Sequence, residues 1–262
     1  PSSDQGTATN LSPPSASTSW TPSTAIAASS LAPQYSYDAY VDMGQGPYAS
    51  SGALTGGGAQ GWWNSGVVQG LYGHVPTAQE QASFTSAVLQ DVQQTFNLSR
   101  IPISLTTTEG AAAAHSVAVV SNTSYAGNPN AVGIANVGGD GFSFIDQFKY
   151  ATSVNDLEWA VAHNVAHELM HTFGGSHLDT TGNYLDTATI SWDKLIDPSL
   201  TFGPDSVAQL NSQNFRARSD RGGSGAEQIE VTPSPVPEPT TLLAWGVAAA
   251  GALLVHHRRH AA

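Results

Sequence analysis

The run His167-Glu168-Leu169-Met170-His171-Thr172-Phe173-Gly174-Gly175-Ser176-His177 constrains this chain more than any other stretch. Residues four apart lie one above the other on a helix face. A helix here therefore lets His167 and His171 aim two imidazoles at one metal ion. Glu168 stands one step further round, within reach of a water on that ion and poorly placed to be a ligand. Gly174 is the expected end of the helix, because glycine takes the left-handed conformation at little cost. The chain can then turn back, and His177 can close the site. Three histidines leave a fourth position open, as a catalytic zinc requires, and Glu168 is placed to act as general base. With 9 His and 26 Gly in the chain, random placement yields these five fixed positions in roughly three of 100,000 such chains, so a chance origin is set aside.

The pattern H-E-x-x-H-x-x-G-x-x-H resembles the metzincin signature of zinc peptidases, complete at His167, Glu168, His171, Gly174 and His177. The resemblance implies an α+β fold. A twisted mixed sheet would carry two long helices, the second bearing the motif, followed by a small irregular C-terminal subdomain. It also implies one catalytic Zn2+ and a peptide or protein substrate laid antiparallel to a cleft-edge strand. Metzincins place a methionine in a tight turn beneath the metal. Here the methionines are Met43 and Met170, neither downstream, and Gly182-Asn183-Tyr184-Leu185-Asp186 is the expected equivalent with Leu185 as the apolar floor. Asp179 and Asp186 can orient a ligand histidine from behind or cap the loop. Tyr184 can stabilise an oxyanion or simply pack. His163, one turn before His167, lacks a following Glu and a third ligand at the right offset, and His74 and His115 stand alone.

Composition narrows the partners. Charged residues make up 11% of the chain and the net charge is −12, with only 8 Lys and Arg. Five of those, Arg216, Arg218, Arg221, Arg258 and Arg259, lie beyond the expected catalytic domain. Phosphate binding needs clustered basic residues, so no nucleic-acid partner is expected. The absence of cysteine excludes disulfides, thiolate-ligated zinc and a thiol nucleophile. No calcium-loop spacing is present, which leaves calcium open.

In chain order, residues 1–34 are Ser/Thr/Pro-rich and read as a flexible segment. The catalytic domain is expected over 35–214. Alternation over Tyr35–Asp42 predicts a strand. The glycine-rich stretch 44–73 predicts an irregular excursion with Trp62 and Trp63 as anchors on the core, or else as a substrate-contacting lip. Thr77 and Glu80 form a capping box for a helix over 77–97 with the stripe Phe84, Val88, Val92 and Phe96. Strands are expected at 101–107, 116–120, 131–137 and 142–148, with 131–137 as the cleft edge. The motif helix should run 154–173 behind Ser153 and Asp156. A short helix should open at Pro204-Asp205-Ser206.

Residues 215–235 read as a linker. Residues 236–262 resemble the PEP-CTERM sorting tail of Gram-negative bacteria, in Pro237-Glu238-Pro239, an apolar run from Leu242 to Val255, and Arg258-Arg259. That resemblance implies export to the cell envelope or beyond, transient inner-membrane anchoring through 240–255, and an exosortase-type processing partner. Together these features predict an exported zinc endopeptidase. Two competitors keep parts of the reading: a catalytically silent envelope or matrix-binding protein on the same fold, and a zinc amidase acting on cell-wall amides.

Overall fold

The computed structural model describes residues 35–48, 54–55, 58–216 and 226–233. The strands are β1 (Tyr37–Asp42), β2 (Leu54–Thr55), β3 (Gln60–Gly61), β4 (Leu105–Thr106), β5 (Ala113–Ser121), β6 (Ser124–Tyr125), β7 (Gly133–Asn136), β8 (Asp140–Phe144), β9 (Thr189–Ser191) and β10 (Ala226–Thr232). The helices are α1 (Gly66–Tyr72), α2 (Ala78–Leu98), α3 (Val154–Thr172), α4 (Trp192–Leu195) and α5 (Pro204–Asn211). The main sheet runs β4-β1-β5-β8-β7-β10-β9, with β3 beside β5 and a separate β2-β6 ribbon. It is mixed. The pairs β1/β4, β1/β5 and β5/β8 are parallel, while β7 runs antiparallel to β8. This is the expected α+β architecture, a mixed sheet with two long helices.

Period-two alternation in β5 divides the apolar residues between two faces. Val117 and Val119 join Ala39 and Val41 beneath the helices, while Ala118 and Val120 meet Ile134, Phe142 and Phe144 on the opposite face. Tyr48, Ala59 and Tyr125 cover that second cluster. The helices begin where the sequence says they must. Thr77 and Ser153 each accept from the N3 amide and are answered by Glu80 and Asp156, two complete capping boxes, each contributing on the order of 1 kcal/mol. The α2 stripe Phe84, Val88, Val92 and Phe96 is fully buried. Trp62 is also fully buried, its ring stacked on Phe84 at 4.3 Å, so the indole anchors the loop as expected. α3 is buried from Ala160 to Thr172, the condition of a helix covered on every side. The sheet lies along it through β5, β7 and β8, and α2 and α4 pack against it.

Two stretches depart from the sequence reading. The glycine-rich excursion contains α1, started by the Ser65 hydroxyl, which accepts from the Val67 amide, and ended at Gly73 with φ 75°. The stretch expected as linker contains β10, which completes the sheet between β7 and β9. The expected edge strand β7 is therefore covered by the chain's own residues.

The expected membrane anchor is corrected. No helix among the described residues is long and apolar enough to cross a membrane. α2 spans 21 residues but is rich in Gln and Ser, and α3 carries Asp156, Glu158, Glu168 and its histidines over 19 residues. The run 240–255 and the tail motif lie outside the described residues, as do residues 1–34.

Candidate metal centre

The helix geometry and one glycine build the site. α3 ends in a Schellman motif. Gly174 adopts φ 92°, its amide donates to the His171 carbonyl at 2.8 Å, and the Gly175 amide donates to the Met170 carbonyl at 2.9 Å. This turn sends the chain back so that His177 faces the helix. The three Nε2 atoms then form a near-equilateral triangle. The separations are 3.0 Å between His167 and His171, 3.1 Å between His167 and His177, and 3.2 Å between His171 and His177.

The hydrogen bonds behind the rings fix what those nitrogens carry. His167 Nδ1 lies 2.6 Å from the Leu185 carbonyl oxygen, and His171 Nδ1 lies 3.0 Å from the Gly175 carbonyl oxygen. A carbonyl can only accept, so both Nδ1 atoms bear the proton and both Nε2 atoms present lone pairs. Burial first, then the neighbouring rings of His171 and His177, hold the His167 pKa well below its usual value against the opposing pull of the Leu185 carbonyl. A neutral ring of this kind repels a second lone pair at 3.0 Å unless a cation lies between them.

A divalent ion fits. Tetrahedral zinc with Zn–N bonds of 2.0–2.1 Å places its nitrogens about 3.3 Å apart, close to the triangle found. Among the described residues, His167, His171 and His177 form a cluster able to hold one metal ion. Soft thiolate donors are absent, and an all-imidazole set suits zinc among the transition metals.

Glu168 is fully buried beside the ligands. Asn164, one turn earlier, donates from Nδ2 to Glu168 Oε1 at 3.4 Å. Against both side chains lies Gly133 of β7. A Cβ there would fall 2.7 Å from Asn164 Nδ2 and 2.8 Å from Glu168 Cδ, and would overlap Oε1 outright. The strand can pass this close only because residue 133 has no side chain. The strand is legible in the sequence, but the role of this glycine is not. A lone Gly inside a strand pattern was the available signal.

The remaining candidates fall in different places. Leu185 is fully buried, as an apolar floor must be, but its carbonyl supplies the hydrogen bond that aims His167. Asp186 is buried and accepts from the Asp179 amide, the Gly203 amide and the Ser206 hydroxyl at 3.1, 2.8 and 2.7 Å. It braces the turn that carries Leu185 and acts on His167 only through that turn. The Asp179 carboxylate accepts from Thr181 at 2.9 Å and caps its own loop. Tyr184 is exposed, near Gly203. His163 is fully buried with Nδ1 on the Leu195 carbonyl, outside the metal cluster. Burial pushes its pKa down to about 4. His74 pairs with Glu80 at the α2 N-terminus, and His115 packs edge-on against Phe173.

No family model, curated protein or solved structure matches this chain. The metal centre is thus read from its own geometry, which is metzincin-like in ligand spacing and in the sheet and helices that present it.

Proposed function

We propose that this chain is a zinc-dependent endopeptidase of metzincin type. One observation carries the reading: three imidazole Nε2 atoms converge within 3.2 Å of one another, with a buried carboxylate at the next helical position after the first. A purely structural zinc is closed by four protein ligands and has no use for that carboxylate.

His167, His171 and His177 would hold the ion. Bound zinc would supply Lewis acidity and lower the pKa of a coordinated water to about 7. Glu168 takes the proton of the attacking water as the scissile carbonyl is addressed, then returns it to the leaving amine. Asn164 and the bare Gly133 backbone both pack against Glu168 Oε1, so the base starts in position. The Leu185 and Gly175 carbonyls keep two rings in the tautomer that presents Nε2. The substrate is a peptide laid along β7 on the side that β10 covers in this structure.

The test pairs metal analysis with turnover on the full chain. One zinc per chain and chelator-sensitive cleavage of a quenched peptide library are expected. Glu168→Gln should keep the zinc and lose at least 10³-fold in turnover, a loss in the range of general-base catalysis. A folded chain without zinc, or a Glu168→Gln variant that turns over normally, would sink the proposal. One zinc with no peptide cleavage would move the reading toward wall amides or a silent site.

A further inference from the structure

We infer that residues 226–232 are a built-in occupant of the substrate edge, a strand of the chain's own lying where an exogenous peptide would bind. The inference rests on the peptidase reading and asks what the site holds before any substrate arrives.

β10 lies between β7, which touches Glu168 through Gly133, and β9, which follows the Leu185 turn in the chain. On one side it runs antiparallel to β7, with Ile229 opposite Gly133 and Glu227 opposite Ala135. The Val132 amide donates to the Ile229 carbonyl at 3.0 Å. Gly133 is the residue pressed against Glu168. The backbone at Ile229 therefore sits one strand spacing, about 4.8 Å, from the position that touches the proposed base. On the other side β10 runs parallel to β9, with Glu230 opposite Thr189. The Glu230 amide donates to the Ala188 carbonyl at 3.0 Å. Ala188 follows by three residues the Leu185 carbonyl that aims His167.

A peptide recognised by strand addition takes its affinity from main-chain hydrogen bonds and its specificity from alternate side chains. β10 has that anatomy. Of its side chains from 229 onward, Ile229 is fully buried, Val231 is half-buried, and Glu230 and Thr232 are exposed. Ile229 joins the apolar cluster that contains Leu185 and Val132. Asn128 Nδ2 donates to the Glu230 carboxylate, and the Thr232 hydroxyl to the Ile190 carbonyl at 3.3 Å. One deep anchor, Ile229, a second apolar contact two residues on at Val231, and exposed residues between and after them make the alternating pattern of a peptide docked by strand addition. β8, by contrast, is buried at every residue, the condition of a central strand covered on both faces. β10 also follows all the catalytic residues in the chain, so the rest of the site does not need its sequence to be specified.

Occupancy makes the uncut chain self-blocked. Exogenous peptide must displace β10 from β7 before it can approach Glu168.

Two substitutions in the full chain test this. Ile229→Asp places a carboxylate at the buried anchor, and Glu230→Pro removes the N–H that reaches Ala188. Hydrogen exchange on the chelator-treated proteins should show the Val132 amide exchanging at least tenfold faster in both variants, with α2 and α3 amides still protected. With zinc restored, both variants should cleave a quenched peptide at least tenfold faster than the parent chain. Unchanged Val132 exchange in both variants overturns the inference. So does loss of α2 and α3 protection in step with β10, which would make the strand part of the core. Cleavage by the parent chain as fast as by the variants defeats the occupant and leaves the peptidase standing. No cleavage by any form defeats both.

Discussion

Gly133→Ala is a one-carbon probe of Glu168, the proposed general base. The new methyl would lie 2.8 Å from Glu168 Cδ and 2.7 Å from Asn164 Nδ2, where comfortable contact begins at about 3.5 Å. Something must give by about 1 Å. β7 is paired on both edges, to β8 and to β10, whereas Glu168 presents the free end of a long side chain. The carboxylate should move and the strand should stay. A misplacement of about 1 Å costs about 10²-fold in rate, equivalent to about 2.7 kcal/mol in the barrier. The overpacking itself should cost about 1–3 kcal/mol of stability. Zinc content should not change, because the methyl faces the base and not the ligand nitrogens. The assay is turnover of a quenched peptide, with zinc stoichiometry and a denaturation midpoint measured on the same sample. Gly70→Ala is the control, since a Cβ there meets nothing within 4 Å and sits in a helix that favours Ala over Gly. Turnover in Gly133→Ala within threefold of the parent chain, while Glu168→Gln remains dead, would refute the placement of the carboxylate beneath β7.

The other expectations concern the scaffold. His163 titrates near 4 when folded and near 6.5 when unfolded, so between those values only the unfolded chain binds the proton. Stability should therefore fall as pH drops from about 6.5 to about 4, by up to ~3 kcal/mol from this residue, with no contribution above that window. Chemical denaturation of the parent chain and His163→Gln across pH 4–8 isolates the slope, because the opposite contribution of Asp91, raised to about 6 by burial, is common to both. An identical slope in the two proteins would refute it. Asp186→Asn replaces one acceptor oxygen by an N–H2, which faces either the Gly203 amide or the Asp179 amide and Ser206 hydroxyl, and should cost about 1–3 kcal/mol, read as a lowered denaturation midpoint. The same variant should weaken zinc binding by about 10–100-fold, because the brace behind Leu185 loosens. Undisturbed zinc affinity measured by competition with a chelator would show that His167 is aimed without it.

Much of the site was legible because its parts are local. The i, i+4 spacing of His167 and His171, the Gly174 stop and the two capping boxes are properties of single turns, and single turns are written in adjacent residues. The apolar stripe of α2 was legible for the same reason. α1 was hidden because Gly66 and Gly70 read as loop, although Ser65 and Gly73 bound a regular helix. The Leu185 and Gly175 contributions come from carbonyl oxygens, which every residue possesses, so no side-chain pattern announces them. Asp186 was noticed, but its partners Gly203 and Ser206 lie 17 and 20 residues away, and sequence spacing says nothing about which donors a fold will bring to it. β10 was read as linker because its stability comes from backbone pairing and one buried isoleucine, a signal too thin to stand out from polar surroundings.

The place of β10 in the chain has a temporal consequence. Every residue of the metal cluster, both long helices and the Arg216 guanidinium that reaches back to Asp38 at 3.0 Å precede it. Chains emerge N-terminus first at about 5–20 residues per second, and domains fold as they emerge. If the residues up to 216 assemble as they emerge, the metal cluster forms with the β7 edge still open. The interval before residue 232 follows lasts only about one to three seconds at that pace. On the inferred role of β10, a newborn molecule would pass through a brief unguarded stage until that strand arrives to shut it.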